Sequence, residues 1–120
     1  MEELTEQELH QIGMNHVGKD LEKKGFEFIA INSQLRKHPQ FVCVDTQNTL
    51  HFIMVQVVPY PINPEEPNIL FVDTFLKHAK NKKAKVLFAG VGIGNSEDLE
   101  QPIYTTSDYV INYNGYKELL

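Results

Sequence analysis

Between Leu50 and Val58 the chain reads LHFIMVQVV, with only His51 and Gln56 polar. A run this short and this continuous leaves no face for solvent, so it predicts a strand covered on both sides. A strand buried twice needs a layer above and a layer below, and that demands helices on both faces of a sheet. At 120 residues the chain is long enough for one such domain, burying roughly two-thirds of its unfolded surface.

The flanking segments supply those layers. Residues 5–24 predict a helix. Thr5 and Glu8 have capping-box spacing, Leu9, Ile12, Val17 and Leu21 form an apolar stripe with Met14 on its margin, and Lys23, Lys24 and Gly25 mark the end. Phe26–Asn32 and Gln40–Asp45 read as strands, and Thr46–Thr49 as a hairpin loop before the apolar run. Four prolines between Pro59 and Pro67 forbid regular structure there. A second helix over Ile69–Lys80 places Leu70, Phe71, Phe75, Leu76 and Ala79 on one side, capped by Asn68 or Asp73. Lys85–Val91 is a fourth strand, loosened at its end by Gly90, Gly92 and Gly94, with Asn95-Ser96-Glu97 starting a short helical turn. Tyr109–Tyr113 is a fifth strand and Tyr116–Leu120 a tail. The predicted fold is a single α/β domain over residues 1–120, in the order α-β-β-β-α-β-β, with helices flanking a mixed sheet.

Composition excludes several function classes. Sixteen acidic against eleven basic residues give a net charge of −5, which disfavours nucleic acid as an indiscriminate partner. The single cysteine, Cys43, cannot make an intrachain disulfide or supply a four-thiolate zinc or iron–sulfur site. The acidic opening MEELTEQE differs from a signal peptide, and no apolar run approaches ~18 residues. A cytoplasmic protein without membrane contact and without a cofactor is the expectation.

The stretch from Val17 to Val57 resembles the restriction-endonuclease-like (PD-(D/E)XK) superfamily, and more closely its small Holliday-junction-resolvase-like proteins. Gly18-Lys19 stands at the family's helix Gly-Glu, Gly25–Asn32 matches its first strand, and Phe52-Ile53-Met54-Val55-Gln56 falls on its motif strand. The resemblance implies a metal-dependent nuclease fold, and the departures remove the metal. The helix glutamate position holds Lys19, the aspartate position falls near Phe41, and the Glu-x-Lys pair becomes Met54 and Gln56. Magnesium needs oxygen ligands, which a phenyl ring and a thioether cannot replace. A catalytically inactive nuclease-like domain that binds a protein partner, or a second copy of itself, is the leading expectation. Two rivals are a nuclease with a shifted site built on Asp45 with Glu22 or Glu27, and a ligand pocket lined by Lys19, Gln56 and Asn112.

Other features carry weaker signals. Gly90-x-Gly92-x-Gly94 lacks the dinucleotide spacing and is followed by Glu97, Asp98 and Glu100, which repel phosphate. Lys77, Lys80, Lys82, Lys83 and Lys85 form the one basic cluster and the candidate for nucleic-acid contact, but no aromatic interleaves them. The five histidines have no zinc-like spacing; His51, inside a strand, reads as a hydrogen-bonded core residue, and Cys43 as a buried hydrophobe. Tyr60, Tyr104, Tyr109, Tyr113 and Tyr116 are a surplus of amphipathic rings in irregular segments, which fits a protein partner and equally the packing of a tail across the sheet edge.

Overall fold

The computed structural model describes residues 2–35, 37–67 and 69–119, and of residues 69–71 the backbone alone. Helix α1 spans Glu6–Lys23. Its start is closed by the capping box: the Thr5 hydroxyl accepts from the Glu8 amide at 3.1 Å, and the Glu8 carboxylate accepts from the Thr5 amide at 2.9 Å. Gly25, at φ 89°, turns the chain out of the helix. The buried stripe is His10, Gly13, Met14, Val17 and Leu21, so Met14 lies at its centre while Leu9 and Ile12 are its partly exposed margins. The stripe is rotated because the helix closes onto the sheet at Gly13, where Val57 occupies the space a side chain would need.

Five strands follow: β1 (Glu27–Ile31), β2 (Phe41–Val44), β3 (Leu50–Pro59), β4 (Lys85–Asn95) and β5 (Tyr109–Glu118), with helix α2 (Ile69–Asn81) between β3 and β4. They form one sheet in the order β1-β2-β3-β4-β5. All neighbours run antiparallel except β3 and β4, which are parallel and joined by α2 as the crossover. The hairpin between β2 and β3 is held by Asp45, whose carboxylate accepts from the Gln47 and Thr49 amides, both at 2.9 Å; Asn48 takes the left-handed conformation there.

β3 is central, and its period of two divides the apolar run between the layers. Ile53 and Val55 join Met14, Val17 and Leu21 of α1, together with Phe41 and Cys43. Phe52 and Met54 face the other way, into Phe75 and Ala79 of α2, with Val86 and Phe88. Each such side chain contributes about 1.5–3 kcal/mol on full burial, which is why the strand tolerates almost no polar residue. Among the described residues no helix is long and apolar enough to cross a membrane.

Three boundaries differ from expectation. β4 continues through Gly90, Gly92 and Gly94 to Asn95, buried throughout after Lys85, and residues 96–101 form bends and a turn, not a helical start. β5 absorbs the supposed tail. Ala89 pairs with Tyr116 and Val91 with Tyr113, so Asn114 and Gly115 together face Gly90 as a bulge, with Gly115 at φ 86°. At the start of α2, Asp73 lies inside the helix and is not its cap; Asn68 lies outside the described residues.

Candidate functional site

In open sheets with parallel strands, ligands gather outside the carboxyl ends of those strands. Here the parallel pair ends at Val57–Pro59 and at Ile93–Asn95, and two adjoining depressions lie there.

The first is apolar. Gly90, Gly92 and Gly94 share a strand face with Val86 and Phe88. The proline-rich loop lies on this bare strip. The Pro64 carbonyl sits where a Gly90 side chain would be, the Pro64 ring is 3.4 Å from the corresponding point on Gly92, and Leu99 and Tyr60 close on Gly94 at 2.9 and 3.4 Å. The glycines therefore admit backbone and rings of this chain and leave no cradle for a phosphate. Around the loop is a groove of about 300 Å³ lined by Tyr60, Ile62, Pro64, Leu99, Val110 and Asn112. Tyr60 is 51% exposed, Ile62 56%, Leu99 42% and Val110 48%, a concentration of open apolar surface that marks contact sites.

The second depression is polar at its heart. The β2–β3 ladder ends at the pair Phe41–Ile53, while β3 runs on to Pro59. Gln40, fully buried, bridges the break: its side-chain carbonyl accepts from the Val55 amide at 2.9 Å and its amide donates to the Gln34 carbonyl at 3.3 Å. Beyond it, His10 from α1 and His38 from the loop before β2 line a recess of about 240 Å³ with Met54, Gln56, Val57 and Ile62. His10 is only 2% exposed. His10 Nε2 and His38 Nδ1 are buried without a hydrogen-bond partner. Desolvation lowers the pKa of both rings; the neighbouring His38 charge lowers that of His10 further, and a hydrogen bond that His38 donates to Gln40 partly offsets the shift of His38.

The four positions taken from the nuclease motif do not converge. Phe41 is buried against α1, its ring 5.3 Å from that of Phe28, and with Lys19 it borders a separate groove along that helix. Met54 is in the core under α2; Gln56, on the same strand face, donates to the Glu66 carbonyl at 2.7 Å. The period of two in β3 sets Met54 and Gln56 on the sheet face opposite Phe41, which one linear motif could not reveal. Lys19, Gln56 and Asn112 border three different cavities. Asp45 is engaged in its hairpin, and among the described residues no group of three or more His, Cys, Asp or Glu could hold a metal ion.

Lys77, Lys80, Lys82, Lys83 and Lys85 are all exposed, at the end of α2 and the start of β4, the opposite end of that strand from the groove. Lys85 reaches Glu118 at 3.3 Å. His51 is buried with Nδ1 3.1 Å from the Thr49 carbonyl. Burial pushes the Cys43 thiol up to about 12, which leaves no thiolate for chemistry. The tyrosines divide: Tyr60 and Tyr109 are exposed, whereas Tyr113 bonds Asp20 and Tyr116 packs on Phe26 beneath Lys24. Gln40, His10 and His38 were not singled out by sequence. The available signal was a histidine at i with Gly13 and Val17 at i+3 and i+7, the spacing of the buried stripe.

The chain matches the family model described as a domain of unknown function (DUF8840) over residues 7–119, and it belongs to that family. No curated protein matches it.

Proposed function

We propose that this DUF8840 member is a restriction-endonuclease-like domain without a catalytic metal site, and that it works as a protein-interaction module through the groove at the carboxyl ends of β3 and β4. The observation that carries the interaction is the cluster of exposed Tyr60, Ile62, Leu99 and Val110 around one groove. The nuclease-like relationship is supported by the order α-β-β-β-α-β, with antiparallel β1-β2-β3 and α2 crossing to a parallel β4. The loss of catalysis is supported by the motif strand in either register. Read on one face it offers Met54 and Gln56, on the other Val55 and Val57, and the entry to β2 offers Gln40 or Phe41. None is a carboxylate, and hard cations require oxygen ligands.

A second copy of the chain is the partner the geometry favours. The groove is continuous with β5, which is an edge strand and opens with exposed Tyr109 and Val110. An unpaired edge is a template for another strand, and two-fold pairing of β5 with its copy buries both grooves at once. Sedimentation velocity over a concentration series tests this. Wild type dimerises and Val110→Asp stays monomeric with unchanged circular dichroism; a wild type that is monomeric throughout overturns the reading. Incubation with junction and duplex DNA plus magnesium or manganese leaves the DNA uncut. Anisotropy with the same DNAs at two salt concentrations tests the lysine cluster separately, since binding that falls steeply with salt would assign those lysines to phosphates.

A further inference from the structure

Charge is distributed unevenly along the edge strand β5. Its first residues adjoin the groove, and the loops bordering that groove carry exposed Glu66, Glu97, Asp98, Glu100 and Asp108. The segments that build the groove, 59–66 and 92–112, contain no lysine or arginine. The last residues of β5 lie beside the start of β4, where Phe88 pairs with Lys117 and Leu87 with Glu118. There α2 ends and turns into β4 through exposed Lys80, Lys82 and Lys83. Ten residues of strand span about 33 Å, so an acidic end and a lysine end stand well apart on one edge. We propose that the lysine cluster is the docking surface for the acidic groove of a second copy, with β5 paired antiparallel along its whole length about a two-fold axis. This rests on the self-association reading and adds to it which surfaces meet.

Both patches lie on the same face of the sheet. The groove is built over Gly92 and Gly94, which alternate on β4 in step with Val86 and Phe88, the residues packed with α2. The lysines end α2 itself. His78 stacks on Phe52 of β3, so Lys80, on the far side of buried Ala79, flanks the helix away from β3. A two-fold axis perpendicular to the sheet reverses the strand and keeps this face on the same side in both copies, which brings each groove beside the other copy's lysines. Charge selects the register. An overlap confined to Tyr109–Tyr113 centres the axis on Ile111 and sets two acidic rims together, a repulsive arrangement. Overlap of the full strand centres it between Tyr113 and Asn114 and sets carboxylates against ammonium groups on both sides of the axis. The bulge at Asn114–Gly115 then lies next to the axis, where symmetry makes both strands bend alike. A net charge of −5 per copy opposes association unless unlike patches are brought together in this way.

The test is sedimentation velocity of the full chain with two charge-reversed variants, Lys80→Glu with Lys82→Glu, and Glu97→Lys with Glu100→Lys. All four side chains are exposed, and circular dichroism checks the fold. Wild type is expected to dimerise, with a Kd that rises by about tenfold or more between about 50 mM and about 500 mM salt. Each variant alone should be monomeric, because both of its contacts become repulsive. An equimolar mixture of the two should dimerise again, since every contact in the mixed pair joins opposite charges. A wild-type dimer indifferent to salt overturns the inference and leaves self-association standing, as do variants that dimerise like wild type or a mixture that is not restored. If a variant does not fold, the wild-type salt series decides. Assemblies that grow past the dimer with concentration overturn the closed two-fold arrangement. Duplex DNA binding that Lys80→Glu with Lys82→Glu abolishes, with the dimer unchanged, gives the lysines to phosphates instead. A wild type that is monomeric throughout overturns the self-association reading and this inference with it.

Discussion

The Tyr113 hydroxyl donates to Asp20 Oδ2 at 2.7 Å, tying β5 to α1 across 93 positions of sequence. Lys24 reaches the other oxygen at 3.0 Å, and the His16 ring meets Tyr113 edge-on at 5.3 Å. Burial pushes the Asp20 carboxyl up, but the bonds from Tyr113 and Lys24 and the nearby His16 charge outweigh it and hold the pKa below its ordinary value. The same pairing, with burial, raises the pKa of the Tyr113 phenol. An outer strand that bends at Gly115 is thus fastened to the helix layer by one charge-assisted bond.

Tyr113→Phe removes that bond and keeps the ring. It should cost about 1–2 kcal/mol, seen as a lower urea midpoint with an unchanged slope. The sign of its pH dependence follows from the depressed Asp20. The stabilisation is complete above the unfolded carboxyl value and is lost as pH falls through the folded one. Wild type and variant should therefore converge in acid; a gap that widens there would refute the assignment.

Gly90 and Gly92 look equivalent in sequence and are not. A Cβ at Gly90 meets the Pro64 carbonyl, whereas one at Gly92 meets side chains at 3.4 Å. Gly90→Ala must displace main chain and should cost about 1–3 kcal/mol or more, each kcal/mol lowering the melting temperature by roughly 4–8 °C in a domain near this size. Gly92→Ala should fall well short of that. Equal melting temperatures would show that the proline loop yields.

Gln40 closes the point where β2 stops and β3 continues. Gln40→Met keeps its bulk but leaves the Val55 amide buried without its acceptor, a loss of about 1–3 kcal/mol. Amide exchange is the direct readout: Val55 should lose protection by more than the change in global stability, while Ile53 follows the global value.

The His10–His38 pair makes the fold sensitive to acid. Both rings have lowered folded pKa values, so the unfolded chain binds protons first as pH falls below about 6.5. Their contribution is whole at pH 7.5 and declines toward pH 5.5. Among the described residues, the further titratable group lining the recess is Glu6. His10→Phe should flatten the melting temperature between those pH values, and an unchanged slope would exclude His10 as the sensing group.

What sequence determined by itself was local. The capping box at Thr5 and Glu8 closes within three residues, the hairpin is held by Asp45 to amides two and four residues on, and the doubly apolar β3 required a layer on each side. Such bonds and periodicities need no distant partner, so the element order and the mixed sheet were legible before any packing was known. The tertiary structure decided the rest. Gly90, Gly92 and Gly94 extend a strand because Pro64 and Tyr60 arrive to cover them, and β5 runs past Tyr113 because β4 is there to pair with it. Phe41 is separated from Met54 and Gln56 because alternate residues of paired strands face opposite layers. His10 and His38 are 28 positions apart, in segments with no local reason to meet. They share a recess because β2 ends early and exposes the flank of β3, a consequence of pairing lengths that a single chain read in order does not display.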